Sequence, residues 1–133
     1  MDFSTIDLAA NADRGADCHL EHPVTEEPLF TDDGKPVTIR VLGQDSREFR
    51  AAVAAIADKA RTGKQTLDKA EANAIELLSR VVVRWEGIVW DGKPLDCTPE
   101  NVRMFLSKFP PIRRQLDEFI GNRANFFRAG AKK

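Results

Sequence analysis

The hydrophobic period of the chain changes from two to 3.6 at Gly43, and that change limits the architecture more than any other feature. Before it, Val37-Thr38-Ile39-Arg40-Val41-Leu42 alternates apolar and polar residues and is rich in β-branched side chains, as a half-buried strand requires. After it, Phe49, Val53, Ile56 and Ala60 recur on one face of a helix running to Arg61. Strands first and helices afterwards is the order of an α+β fold.

The strand region reaches back from Gly43. Asp17 to His22 alternates, with Cys18, Leu20 and His22 on one face and His19 and Glu21 on the other, until Pro23 ends it. Pro28-Leu29-Phe30 precedes a turn at Thr31-Asp32-Asp33-Gly34-Lys35-Pro36. Residues 16–43 are therefore expected to form a small antiparallel β-meander, preceded by a mobile or weakly helical acidic arm over 1–15.

Residues 45–127 carry four helical patterns. Asp45 or Ser46 caps the first, with Asp45-x-x-Glu48 resembling a capping box. Thr66 caps the second, whose inner face is Leu67, Ala70, Ala74, Leu77 with Leu78, Val81 and Trp85; Ile75 and Val82 widen the stripe, so it is expected to be central. Gly87 breaks it. Asp91-Gly92-Lys93-Pro94 repeats Asp33-Gly34-Lys35-Pro36, which predicts the same turn used twice and a short strand or extended arm over Gly87 to Trp90. Thr98 and Pro99 open a third helix with Val102, Phe105 and Leu106 inward, ended by Pro110-Pro111. The last runs from Pro111 through Ile112, Leu116, Phe119, Ile120 and Phe127, weakened at Gly121, before a frayed basic tail over 128–133.

At 133 residues, 42% hydrophobic and 31% charged, the composition is that of one water-soluble domain. No apolar run approaches the ~20 residues of a membrane span. The acidic start Met-Asp-Phe-Ser-Thr-Ile-Asp is unlike a secretory signal, and Cys18 and Cys97 alone make no disulfide framework, so a reducing cytosolic setting is expected. Charge is segregated. Residues 1–35 hold nine acids against Arg14 and Lys35, net −7, whereas residues 101–133 hold eight bases against Asp117 and Glu118, net +6. The two ends can attract within one fold or join copies head to tail, or simply be solvated faces.

Catalytic and metal chemistry find few parts. Cys18-His19-x-x-His22 is the one metal-like cluster, but strand alternation turns His19 away and leaves two ligands where zinc wants four. There is no Gly-x-Ser-x-Gly elbow and no phosphate-cradling glycine loop, so no enzyme and no cofactor is expected. Arg113, Arg114, Arg123 and Arg128 with Phe126 and Phe127 can compose a nucleic-acid face, against which stands a pI near 6.1. Protein binding is what is left. Trp90 beside its turn and Phe126-Phe127 at a helix end are large apolar groups that either complete the core or meet a partner.

The order of these features resembles the small tail assembly chaperones of long-tailed bacteriophages and prophages. The resemblance spans most of residues 17–128. It is strongest at Trp85-x-Gly87, Thr98-Pro99-Glu100-Asn101 and Arg123-Ala124-Asn125-Phe126. It implies a non-enzymatic factor of the host cytoplasm, absent from the mature virion, that binds the tape-measure protein and helps recruit tail tube subunits. It also implies a partner groove, for which Trp85, Trp90, Phe105, Phe126 and Phe127 are the candidate residues, and head-to-tail self-association through the opposite end charges. Members often append a second domain by ribosomal frameshifting, and the codons of Lys132-Lys133 can form the slippery site. A head–tail connector or tail-completion protein and a small nucleic-acid-binding regulator are the competing readings.

Overall fold

The computed structural model describes residues 1–131 except Thr62 and Gln65, with residues 128–131 by their backbone alone. Its organising element is a three-stranded antiparallel sheet in the order β1 (Ala16–His19), β2 (Thr38–Val41), β3 (Val82–Glu86). Cys18, Ile39 and Trp85 stand in one row across it, and Asp17, Arg40 and Arg84 in the next row on the opposite face. The first face carries the core; on the second, Arg40 pairs with Asp17 and donates to the carbonyls of Arg14 and Gly15. The fold is α+β, as the change of period implies.

The third strand is not the one the sequence pattern suggests. Helix α3 (Leu67–Val81) stops four residues before Trp85, and Val82–Glu86 becomes β3. Three consecutive valines favour extended backbone, and the open edge of β2 offers hydrogen-bond partners that a further helical turn lacks. Trp85 is therefore a strand residue beside Ile39 rather than the end of a helical stripe. The meander survives as a local excursion. Beyond His19 and Thr38 the strands part, and Leu29 enters between them. Leu29 donates to Leu20, and both Leu20 and Val37 are tied in by backbone bonds of 2.9–3.0 Å.

Among the described residues six α-helices accompany the sheet where four were expected. Helix α1 (Leu8–Arg14), capped by Asp7, occupies part of the acidic arm; its Ala12 is buried, and Asp13 accepts from the Arg47 amide. Helix α2 (Arg47–Ala60) is capped by Ser46 alone, because Asp45 is engaged by Arg123 instead of completing a capping box. Its buried residue is Ala52, with Phe49 and Ile56 half-buried and Val53 and Ala60 exposed, so the inner face is rotated from the expected one. In α3 the same correction is larger: Leu67 is 89% exposed, and burial begins at Ile75, Leu78 and Val81. This helix does pack against both α2 and α4 (Pro99–Lys108), as a central helix should. The last pattern divides into α5 (Pro110–Gly121) and α6 (Ala124–Ala131). Gly121 is a weak helix former, and the Asn122 side chain accepts from the Ala124 amide to start a new helix. The basic tail over 128–133 lies outside the described side chains.

The two Asp-Gly turns differ. Asp91 (φ 50°) and Gly92 (φ 79°) form a two-residue loop between β4 (Val89–Trp90) and β5 (Lys93–Pro94), the left-handed pair that matches strand twist. At the first copy only Gly34 is left-handed, and Thr31 to Lys35 closes a loop one residue longer. Leu20, Ile39, Val41, Leu78, Leu106 and Leu116 sit at the centre of one continuous core. Among the described residues no helix is long and apolar enough to cross a membrane.

Candidate binding groove

Where β1 and β2 part, the sheet end is incompletely covered and an apolar groove of about 300 Å³ remains. Leu20, Pro23, Leu29, Phe30 and Val37 form its first wall, Gly87 to Val89 its second, and Phe105, Phe109 and Ile112 at the α4–α5 corner its third. No lining residue carries an ionisable side chain. Of the lining residues Phe30 is 57% and Val89 58% exposed, and Val24, next in the chain to the lining Pro23, is 81% exposed.

The two histidines build the first wall. His22 Nδ1 accepts from the amides of Val24 and Thr25 at 3.1 and 3.2 Å, fixing the turn after Pro23, in which Glu26 takes a left-handed φ of 65°. His19 places its Nε2 2.7 Å from the Leu29 carbonyl and its ring edge-to-face with Phe30, centroids 5.0 Å apart. Among the described residues no group of three or more His, Cys, Asp or Glu is placed to hold a metal ion.

Behind the third wall runs an aromatic chain. Trp85 meets Phe105 at 5.6 Å, Phe105 meets Phe109 at 5.3 Å, and Phe109 meets Trp90 at 6.1 Å. The Trp85 indole N–H donates to the Leu95 carbonyl at 2.7 Å, which anchors the β4–β5 hairpin over β3. Of the five residues singled out from sequence, Phe105 lines the groove, while Trp85 and Trp90 are half-buried supports behind it. Phe126 and Phe127 do not join them. Phe126 is 3% exposed, meets Phe119 edge-to-face at 5.7 Å, and sits with Phe127 against Leu8, Ala12 and Gly43. Val37 and Gly43 mark the two ends of β2, six residues or about 20 Å apart at strand rise. Phe30, Val89, Phe109 and Ile112 escape the sequence reading. The available signal is Pro28-Leu29-Phe30 placed directly before a turn, with Val89 beside Trp90 on a hairpin too short to hide both.

Charge is distributed unevenly around the groove. Segment 20–37 carries Glu21, Glu26, Glu27, Asp32 and Asp33 against Lys35, all exposed. On the other side, Arg103 and Arg113 turn away toward Glu76 and Glu71 of α3, at 3.7 and 3.4 Å. The basic residues considered for nucleic acid are accordingly dispersed. Arg113 is engaged with Glu71, Arg123 is held by both oxygens of Asp45 at 2.6 and 3.0 Å, and the Arg128 side chain lies outside the described residues. The hydrogen bonds from Arg123 hold the Asp45 carboxyl below its ordinary range. No ion pair joins residues 1–35 to residues 101–133 among the described residues; there the Gln115 amide clasps the backbone N–H and carbonyl of Glu21.

Neither thiol is activated. Burial pushes Cys18 up to about 12, with Glu21 adding to it, and burial raises Cys97 against a backbone hydrogen bond at Trp85 that lowers it. What this region offers chemically is contact area with a charged border. The chain matches no protein-family model, no curated protein and no solved structure.

Proposed function

We propose that the protein is a non-enzymatic tail assembly chaperone of a long-tailed phage or prophage. It works in the host cytoplasm, binds the tape-measure protein, helps recruit tail tube subunits and leaves before the virion is complete. The observation that carries the reading is the apolar groove at the open end of the sheet, lined in part by the exposed Phe30 and Val89. An exposed apolar cluster of this kind marks an interaction surface, and a long helical client with one apolar side fits it in the helix-in-groove manner. The resemblance at Trp85-x-Gly87, Thr98-Pro99-Glu100-Asn101 and Arg123-Ala124-Asn125-Phe126 supplies the biological setting.

Two of those motifs have a physical role in the fold that would suit such a surface. Trp85 and Gly87 position the hairpin whose Val89 lines the groove, and Thr98 caps α4, whose Phe105 lines it. The reading predicts a gene for a long coiled-coil-rich protein immediately downstream, and co-expression with that protein is the direct test. The wild-type chain retains that protein on affinity resin, and purified particles contain none of the chaperone by mass spectrometry. Stoichiometric recovery of the chain in finished particles would instead make it a connector or completion protein.

A further inference from the structure

We infer that the groove takes an amphipathic helix whose apolar stripe is bordered by lysine or arginine, with the basic border lying along residues 20–37. The inference rests on the chaperone reading and names the chemistry of its client at this site.

Size and lining come first. A pocket of about 300 Å³ is at the lower limit for small ligands, which also need convergent polar groups to orient them; this lining has no ionisable side chain. Two or three aliphatic side chains at i, i+3 or i+4 spacing fill such a trough, and the rest of their helix covers Val24, Phe30 and Val89.

Charge then selects among helices. Segment 20–37 supplies five of the eleven lining residues, and the acids between them are unspent: the exposed Glu26, Glu27 and Asp32 make no ion pair among the described residues. Asp33 alone is paired, with Lys35 at 4.0 Å. An acidic helix laid in the groove would place like charges against this bank. A basic border gains attraction on both approach and docking. The bank is also fixed in place, because Leu20, Leu29 and Val37 are joined by backbone bonds and His22 locks the intervening turn.

Two synthetic helical peptides test this, with one leucine stripe in common and either lysine or glutamate at every bordering position. Binding to the full chain is read from anisotropy of a dye on the peptide. The lysine peptide is expected to bind on the order of tenfold more tightly at about 0.05 M salt, and the advantage should shrink by about 0.5 M as screening shortens the reach of the bank. Val89→Asp should weaken the lysine peptide on the order of tenfold, since a charge then enters an apolar contact. The triple variant Glu26→Lys, Glu27→Lys, Asp32→Lys, all at exposed sites, should reverse the preference. Equal binding of the two peptides, binding of neither, or a preference untouched by the triple variant overturns the inference. If V89D still retains the downstream coiled-coil protein, the groove assignment fails while the chaperone reading stands. If the lysine peptide binds but no downstream protein does, the reverse holds.

Discussion

Gly87 links the fold to the groove, and replacing it by alanine separates two costs that usually come together. Its φ is +85°, and a β-carbon there would lie 2.8 Å from Thr31 Cγ2 and 3.2 Å from Val37 Cγ2. Gly92 is the natural control, with φ +79° and nothing within 4 Å of the added carbon. Either alanine costs about 1–2 kcal/mol for left-handed backbone. Only Gly87→Ala adds the overlap. Rotation of Thr31 does not relieve it cheaply, because its hydroxyl bonds Asp33 and accepts from the Lys35 amide at 3.0 Å. Overpacking of that kind adds about 1–3 kcal/mol, for a total of about 2–5 against about 1–2 at Gly92. Urea titration followed by tryptophan fluorescence measures the difference. With a slope near 1.5 kcal/mol per molar, the midpoints should differ by about 0.7–2 M at unchanged slope. Variants within about 0.3 kcal/mol of each other would mean that the second and first walls do not touch as described.

Leu67→Ala should change stability by less than about 0.5 kcal/mol, since Leu67 is 89% exposed, whereas Leu78→Ala at 1% exposure should cost about 2–5 kcal/mol; equal losses in urea would restore the longer helical stripe. The Asp45–Arg123 pair should appear in the acid limb. Asp45 is depressed in the folded state, so its contribution is full above the unfolded carboxyl value near 3.8 and is lost as pH falls through the lowered folded value. Melting temperatures from pH 7 down to pH 3 should therefore fall less steeply for Asp45→Asn than for wild type, and parallel curves would remove the pair as a contributor. With Cys18 pushed up to about 12 and Cys97 also raised, iodoacetamide at pH 8 should leave Cys18 unmodified and label Cys97 slowly, while urea-unfolded chain takes two labels. Rapid double labelling of native protein would contradict the burial of Cys18.

The sequence is most legible where local chemistry and tertiary structure agree. Ser46, Thr66 and Thr98 cap helices because a hydroxyl at that position satisfies an otherwise orphaned amide whatever the surroundings, and each accepts from the amide three residues on. Asp91-Gly92 is legible for the same reason. The misreadings have a common origin in decisions made by distant neighbours. Val82 to Glu86 continues a helical pattern, yet β2 forty residues earlier in the chain offers a ladder and takes it. Leu67 has the spacing of a core residue, but it precedes the part of α3 that packs inward and is left 89% exposed. Asp45 has the chemistry of a cap and is drawn instead to Arg123 from the far end of the chain.

The groove was illegible for a stricter reason: it is a failure of coverage, and coverage is a property of three segments at once. Cys18 and Ile39 pair directly, so the sheet face there is closed by Trp85 and the helices. Past His19 and Thr38 the strands separate and Leu29 and Phe30 enter, which widens the sheet end beyond what the hairpin at Val89 and the α4–α5 corner span. Trp90 illustrates the consequence. Placed beside an exposed turn, it has the sequence signature of a contact residue, yet the hairpin folds it back on Phe109, and its neighbour Val89 is left facing water. Alternation along a two-residue strand makes that exchange unavoidable: if one of the pair packs inward, the other points out. The same geometry explains why Phe126 is spent inside the fold, since Gly43 and Ala12 leave a hollow at the other end of β2 that a phenylalanine from α6 fills. One end of the strand is thus closed by an aromatic from the chain itself, and the other is left open as the apolar groove.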